Sequence, residues 1–471
     1  MCRRRAVPRR RRGAVVTALA DRPSRLRPPG PSPWSAPRLL ARMARNRLDV
    51  MRSVSARYGD AVRLPLGPKT LYFFNHPDHA KHVLAENPGN YHKGIGLVHA
   101  RRTLGDGLLT SEGELWRKQR KTIQPVFQAR RIARQAGAIA EEAVGLADRL
   151  HTMVGRDEPV DIRHEMTDLT LGVLGRTLLD TDLSEFGGIG DAFEAVQDQA
   201  IFEMMSLGAV PTWVPLRRQR RFRQARAELQ DVVDQLVARR RAAGGIAERD
   251  DVVSRLIGST SEEADPRVAR QRMRDELVTL LLAGHETTAS TLTWAFHLLD
   301  RHHDVWERVH AEAVEVLGDR TPVYEDLHGL RYTAMVVDEV MRLYPPVWLL
   351  PRIAQGDDVV GGYHVPAGAD LVLCPYTLHR HPEFWPHPDR FDPDRFDPDR
   401  GTDRPRYAYI PFGAGPRFCV GNNLGLMEAV FVIACVARRM RLSVQPGYRL
   451  VPEPMLTLRV RGGLPMRVHE A

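Results

Sequence analysis

The chain has 471 residues, 43% of them hydrophobic, which argues against wholesale disorder and allows one large core or two ordinary ones. No apolar run approaches the roughly 20 residues needed to span a bilayer, so no transmembrane anchor is expected. The formal charge is +10, yet residues 1–30 hold ten arginines against Asp21 alone. The remaining chain is close to neutral and lacks the basic footprint of a nucleic-acid binder.

Residues 1–30 read first as a disordered tail or an over-extended start. Two other readings stay open: a membrane-surface or partner-binding arm, and a secretion signal built on the short apolar stretch Ala14 to Ala20. Arg27-Pro28-Pro29-Gly30-Pro31 cannot continue a helix and reads as a linker, with residues 31–471 expected to form a single domain. Ala61 to Phe74 gives two strand-like stretches around a Leu66-Gly67-Pro68 turn. Gly113 to Phe127 and most of Ala129 to Arg241 read as helix, broken at Gly208 to Pro215. Val268 to His303 is a long helix candidate, followed by strands at Val359 to Val365 and Leu371 to Cys374. The segment from Leu424 to Met440 is helical, and the last thirty residues read as short strands. The sum is mainly α, with small β-sheets. Four cysteines make no dense framework, which fits a reducing cytoplasm.

The richest stretch is Pro411-Phe-Gly-Ala-Gly-Pro-Arg-Phe-Cys-Val-Gly-Asn-Asn423. Its glycines permit tight turns and close backbone approach to a flat ligand. Cys419 falls near a helix N-terminus, where the dipole and free N–H groups favour thiolate. A lone buried structural cysteine is the plain alternative. A zinc site is poor, because no histidine lies nearby.

Phe412, Gly415, Arg417, Cys419 and Gly421 match the haem-binding signature of the cytochrome P450 family at all five positions, and the chain resembles that family from about Pro28 to near its end. The resemblance implies a helical prism with small β-sheets, and haem b (iron protoporphyrin IX) ligated by Cys419. Phe412 and Gly413 would lie in the haem-binding loop. Ala283-Gly284-His285-Glu286-Thr287-Thr288 lies in a stretch apolar on all sides, and Ala283, Glu286 and Thr287 share a helix face. By resemblance Thr287 steadies dioxygen, Glu286 relays protons and Ala283 lies against haem and substrate. The alternative is a Thr-rich turn satisfied by its own carbonyls. Gly284 would let a larger group approach the backbone.

Glu339 and Arg342 match the family's Glu-x-x-Arg pair, and Arg395 is chosen as the downstream arginine that completes it. The tandem Arg390-Phe-Asp-Pro-Asp and Arg395-Phe-Asp-Pro-Asp makes that a choice. Trp116, Arg120, Arg352 and Arg417 occupy positions that bind the haem carboxylates. Trp348 and Leu349, with Ala283, are expected in the substrate pocket.

The chain carries no flavin or nicotinamide fingerprint, so electrons would come from a ferredoxin or flavodoxin with its reductase, docking at Arg117, Lys118, Arg120 and Lys121. The implied reaction uses O2 to hydroxylate a hydrophobic small molecule. Leu66-Gly-Pro-Lys-Thr70 and Arg120-Lys-Thr-Ile-Gln-Pro-Val-Phe127 resemble actinobacterial terpene oxidases. A fatty-acid hydroxylase is the main rival, and a peroxygenase, an isomerase or a haem-binding sensor without turnover are others. A cytoplasmic monomer is expected.

Overall fold

In the computed structural model, residues 26–471 are described except 68, 187, 207–209, 212, 246–250, 262 and 402. The arginine tail through residue 25 and part of the expected break at 208–215 therefore lie outside the described residues. The helices that shape the molecule are α1 (Ala36–Arg45), α2 (Arg47–Tyr58), α3 (Leu97–Leu104), α4 (Gly113–Ile123), α5 (Ala136–His151), α6 (Ile162–Leu174), α7 (Ile189–Met205), α8 (Arg217–Ala242), α9 (Val252–Thr260), α10 (Pro266–Arg301), α11 (His303–Leu317), α12 (Arg331–Leu343) and α13 (Asn422–Arg439). Helix dominates and the sheets are small, as the composition of apolar periods implied. The pattern did not single out α1, α2, α3, α9 or α11.

Helix α10 is the axis. Asp265 caps it by accepting the Arg267 N–H at 2.8 Å, and Pro266 occupies the first turn, where a missing N–H costs nothing. Its 36 residues extend about 54 Å. Leu277, Leu281, Leu292, Trp294 and Ala295 are all almost fully buried, so the helix is enclosed by protein. Helices α6, α12 and α13 pack along it. Gly284 marks the closest approach: a Cβ there would meet Leu174 of α6 at 2.6 Å. The larger group that Gly284 admits to the backbone is thus the Leu174 side chain.

The larger sheet has five strands, β1 (Ala61–Leu66), β2 (Lys69–Phe74), β3 (Tyr91–Lys93), β4 (Leu350–Ala354) and β5 (Asp370–Leu373), in the order β1-β2-β5-β4-β3. Only β2 and β5 run parallel; the other pairs are antiparallel. Pairing of β3 with β4 sets Lys93 opposite Arg352.

The segment entering α4 is tied to α10 by two buried acids. Asp275 accepts the Asp106 N–H at 2.9 Å and Glu276 accepts the Leu108 N–H at 2.9 Å. Gly105 and Gly107 press so closely on Asp275 and Thr279 that a side chain at either would collide. Burial raises both carboxyls, Glu276 to about 8. The sequence pattern showed neither clamp residue, because a carboxylate bound to distant backbone leaves no periodic trace.

Candidate active site

The loop that carries Cys419 is held from beneath by a buried ionic core. Glu339 and Arg342, one helical turn apart on α12, are fully buried. The Arg342 guanidinium donates Nε to Glu339 Oε2 at 2.6 Å and Nη2 to Oε1 at 2.8 Å. It also donates to the carbonyls of His379, Pro388 and Arg390 at 2.9, 2.7 and 2.9 Å. Glu339 accepts the Asp392 N–H at 2.8 Å, and Arg395 lies 3.5 Å from the same carboxylate while donating to the His387 carbonyl. Both carboxylate oxygens of Glu339 and all three guanidinium nitrogens of Arg342 have partners, which is the condition for a buried pair to persist. His379 passes the order onward: its Nε2 accepts the Ile410 N–H at 2.9 Å, which places the next residues, Pro411 and Phe412. Burial pushes His379 down to about 3, so its ring is a neutral acceptor. Sequence reasoning missed His379, whose partners Arg342 and Ile410 lie on two distant segments.

From Phe412 the chain turns back on itself. Gly413 and Gly415 both have positive φ, at 71° and 67°, and a Cβ on Gly415 would overlap the Leu84 carbonyl. The Phe412 carbonyl then accepts the Cys419 N–H at 3.0 Å, and the Phe412 and Phe418 rings meet edge to face. Cys419 stands just before α13, whose cap is Gly421, and it is accessible. Burial of its sulfur is nevertheless the largest influence and pushes the thiol up, while the Gly421 N–H and the Arg120 guanidinium oppose it. The helix-end donors expected from the sequence are therefore present but outweighed. A bound metal cation would shift that balance to thiolate.

Around this loop the structure gathers the expected carboxylate-binding side chains. Arg417 is ion-paired with Glu112 and lies 4.4 Å over the Trp116 ring. Arg120, on the same helix as Trp116, donates to the Phe418 carbonyl at 2.7 Å. Arg352 is buried, and the hydrogen bond it makes is to the Pro351 carbonyl next to it. Lys93 faces it across the β3–β4 pair, and neither makes an ion pair among the described residues. Burial, then the neighbouring guanidiniums, holds Lys93 well below its usual range and brings Arg352 down to about 10.

Three cations, Lys93, Arg352 and Arg417, thus converge on one carboxylate, Glu112, and two of them stand directly opposite each other on paired strands, an arrangement that destabilises a sheet unless anions are added. Haem supplies two carboxylates and an iron that accepts a thiolate, and this donor set fits it. Lys93 was not foreseen; nothing in Tyr91-His-Lys93 distinguishes it until the strands pair.

Within α10, Ala283 is exposed although Leu282, His285 and Thr288 near it are buried, and Thr287 donates its hydroxyl to the Ala283 carbonyl at 2.7 Å. That is the local satisfaction weighed as an alternative, and it leaves the Thr287 oxygen able to accept a hydrogen bond. Glu286 does not join them. Its carboxyl faces Thr457, Gln197, Arg459 and Arg163, and burial raises its pKa. Arg459 in turn pairs with Glu453 at 2.9 Å and Glu194 at 3.4 Å. His285 is bonded to the Leu281 carbonyl and packed on Phe193, and burial lowers it to about 4.

Trp348 departs from the pocket position expected for it. Its indole donates to the Met455 carbonyl at 2.9 Å, and its ring is buried with Val372, Cys374 and Leu458. The partner-seeking N–H draws the ring into this core. Leu349 stays partly buried at its edge.

A family model described as cytochrome P450 matches residues 27–463. Cyclooctat-9-en-7-ol 5-monooxygenase of Streptomyces melanosporofaciens is 38% identical over 451 residues, covering 94% of this chain and 95% of the relative. Cyclooctatin synthase of the same organism is 37% identical over 433 residues, covering 91% and 92%. Pentalenene oxygenase of Streptomyces avermitilis is 32% identical over 418 residues, covering 88% and 91%. With a cysteine loop and a cationic cradle that suit haem, and with matches of this extent, the chain belongs to the cytochrome P450 family of monooxygenases.

Proposed function

We propose that this chain hydroxylates a terpenoid, with haem b ligated by Cys419, dioxygen as oxidant and electrons from a ferredoxin or flavodoxin. The observation that carries the cofactor assignment is the surplus of cations at the buried Arg352 and the partly buried Lys93 and Arg417 beside the accessible Cys419. The terpenoid class rests on the relatives, whose names specify cyclooctatin and pentalenene chemistry.

Haem, when bound, supplies the activation of dioxygen. The protein's own residues bind it, admit substrate and manage protons. Arg120, Arg352, Arg417 and Lys93, with the Trp116 N–H, hold its carboxylates. Phe412 and Gly413 shape the loop beneath it. Ala283 and Leu349 border the substrate space. Thr287, hydroxyl given to the Ala283 carbonyl, presents an oxygen to the same space, and Glu286 relays protons to it on turning from Thr457, Gln197 and Arg459. The raised pKa of Glu286 suits a donor, because more of it stays protonated near neutrality. Arg117, Lys118 and Lys121 are exposed on α4, the helix that carries Arg120, and form the docking face for an acidic electron donor. The working form is a cytoplasmic monomer with one catalytic domain over residues 31–471.

The deciding measurement is the spectrum of the dithionite-reduced protein with carbon monoxide. A strongly red-shifted Soret band, lost in Cys419→Ser, is expected; a globin-like complex in freshly folded protein would remove Cys419 as the ligand. Turnover of a terpene panel and not of a fatty-acid panel is expected with a surrogate ferredoxin. Thr287→Ala should give less product and more peroxide per electron pair, and unchanged coupling would end the role given to Thr287.

A further inference from the structure

Glu286 turns its carboxyl toward Thr457, Gln197, Arg459 and Arg163, and it lies about 100° around α10 from Thr287. A second acid of the same helix is better aligned. At 100° per residue Glu276, Thr279, Ala283 and Thr287 fall within an arc of about 80°, spread over about 16 Å of the axis. The segment 105–109 covers this face at its start, where Leu108 donates to Glu276 and Gly107 presses on Thr279. At Ala283 the face is open.

Both covered groups keep an unused polar atom. Glu276 is 1% exposed; its Oε2 accepts the Leu108 N–H at 2.9 Å, and its Oε1 has no hydrogen-bond partner among the described residues. Thr279 is 2% exposed, and its hydroxyl is unpartnered as well. Other threonines of α10 behave differently: Thr287, Thr291 and Thr293 give their hydroxyls to carbonyls four residues back, at 2.7, 3.0 and 2.7 Å. Unpaired buried polar atoms destabilise a fold, and a buried acid does so more. Holding Leu108 does not call for an acid, since glutamine offers the same acceptor. A buried carboxyl that structure alone does not explain is a candidate for chemistry.

Solvent approaches this carboxyl through a cleft of about 410 Å³ between α4, α9 and α10, lined by Glu276 with Lys118, Thr122, Ser259, Thr260 and Arg272. The charged groups around Glu276 are Asp275 and Arg272 on its own helix, Lys118 on α4 and Asp106 in the covering segment. Helix α9 contributes Leu256, Ser259 and Thr260 to the cleft.

We propose that Glu276 is a second point of proton entry for the reaction, taking protons from solvent in the cleft and passing them by the Thr279 hydroxyl along this face of α10 toward the Thr287 oxygen. Thr279 and Ala283 lie about 6 Å apart along the axis, a span that one water bridges. Burial, opposed by the Leu108 N–H and helped by Asp275, raises Glu276 to about 8, so it holds a proton at neutral pH and can release it. The proposal rests on the hydroxylase reading above, in which substrate, O2, two electrons and two protons give the hydroxylated product and one water. A proton that leaves Glu276 is replaced from the cleft, so the residue is unchanged over a cycle.

The test uses the haem-loaded full chain, a surrogate ferredoxin and the terpene that it hydroxylates. Glu286→Gln should retain turnover, and adding Glu276→Gln should lower that remainder about tenfold, within the range of a positioned acid. In the Glu286→Gln background turnover should fall as pH rises through about 8, and Glu276→Gln, which still accepts from Leu108, should abolish that limb. Without turnover, the infrared band of a protonated carboxyl should exchange in D2O, disappear in Glu276→Gln and exchange more slowly in Ser259→Phe, which fills the cleft. Equal turnover of Glu286→Gln and the double variant, a pH limb that survives Glu276→Gln, or exchange unchanged in Ser259→Phe overturns the proposal. So does loss of all turnover in Glu286→Gln alone. In each of these cases a red-shifted carbon-monoxide band and hydroxylated product in the parent leave the hydroxylase reading standing; a parent lacking either overturns both.

Discussion

Two buried charge clusters lie within the same fold and are built on opposite principles. In the Glu339–Arg342 knot, one carboxylate and one guanidinium answer each other, and the remaining donors go to carbonyls of a single connecting segment. In the cradle beside Cys419, Lys93 and Arg352 face each other across paired strands and the carboxylate nearest them among the described residues, Glu112, is taken by Arg417. The first cluster is complete without a ligand. The second is an electrostatic deficit that protein alone does not repair. Balanced burial marks structure, and unbalanced burial marks a place prepared for something charged.

Removing one member of each cluster should therefore have opposite consequences. The largest effect is expected for Arg342→Ala, which leaves Glu339 and three carbonyls without their partner; the loss is about 3–5 kcal/mol by chemical denaturation, with haem no longer retained. Near-native stability would mean the knot is not what holds the Cys419 loop.

An isolated buried acid gives an intermediate case. Glutamate ionises near 4.5 when unfolded, whereas Glu276 in the fold does so only near about 8. Between those values folding takes up a proton, so this residue's contribution to stability falls as pH rises and levels off above the folded value. Glu276→Gln keeps an acceptor for the Leu108 N–H and removes the titration. It should stabilise the protein by up to about 3 kcal/mol at pH 7 and by little at pH 4.5. Parallel stability–pH curves for the two proteins would refute the raised pKa.

The smallest and most discriminating change is in the cradle. Arg352→Gln and Lys93→Met should each leave the haem-free protein as stable as the parent, or more so by about 1 kcal/mol, because a like-charge pair is relieved. The same substitutions should speed haem loss to apomyoglobin about tenfold, as a charged hydrogen bond to a carboxylate disappears. Destabilised haem-free protein with unchanged haem loss would make the cradle structural, and the contrast with the knot would fail.

How much of this could be read in advance differs from residue to residue. Cys419, Phe412, Gly413 and Arg417 sit in one short string whose glycines and spacing announce a turn, and the turn is there. The enclosure of α10 followed from apolar residues on every side of its period. Trp348 went astray because an apolar residue near a pocket and one in a core have the same sequence signature, and only the Met455 carbonyl decided between them. Gly284 announced only that a larger group would approach the backbone, and the packing of α6 decided that the group is Leu174.

The sequence by itself determined the mainly helical architecture, the cysteine loop and the charged residues available to it, because these depend on local propensity, turn geometry and period. Tertiary structure decided which charges would be balanced. Lys93 meets Arg352 only through strand register, His379 meets Ile410 only across the knot, and Glu286 turns from Thr287 toward Arg459 only once the C-terminal strands are in place. Electrostatic energy depends on distance and burial rather than on order along the chain, and only folding sets those.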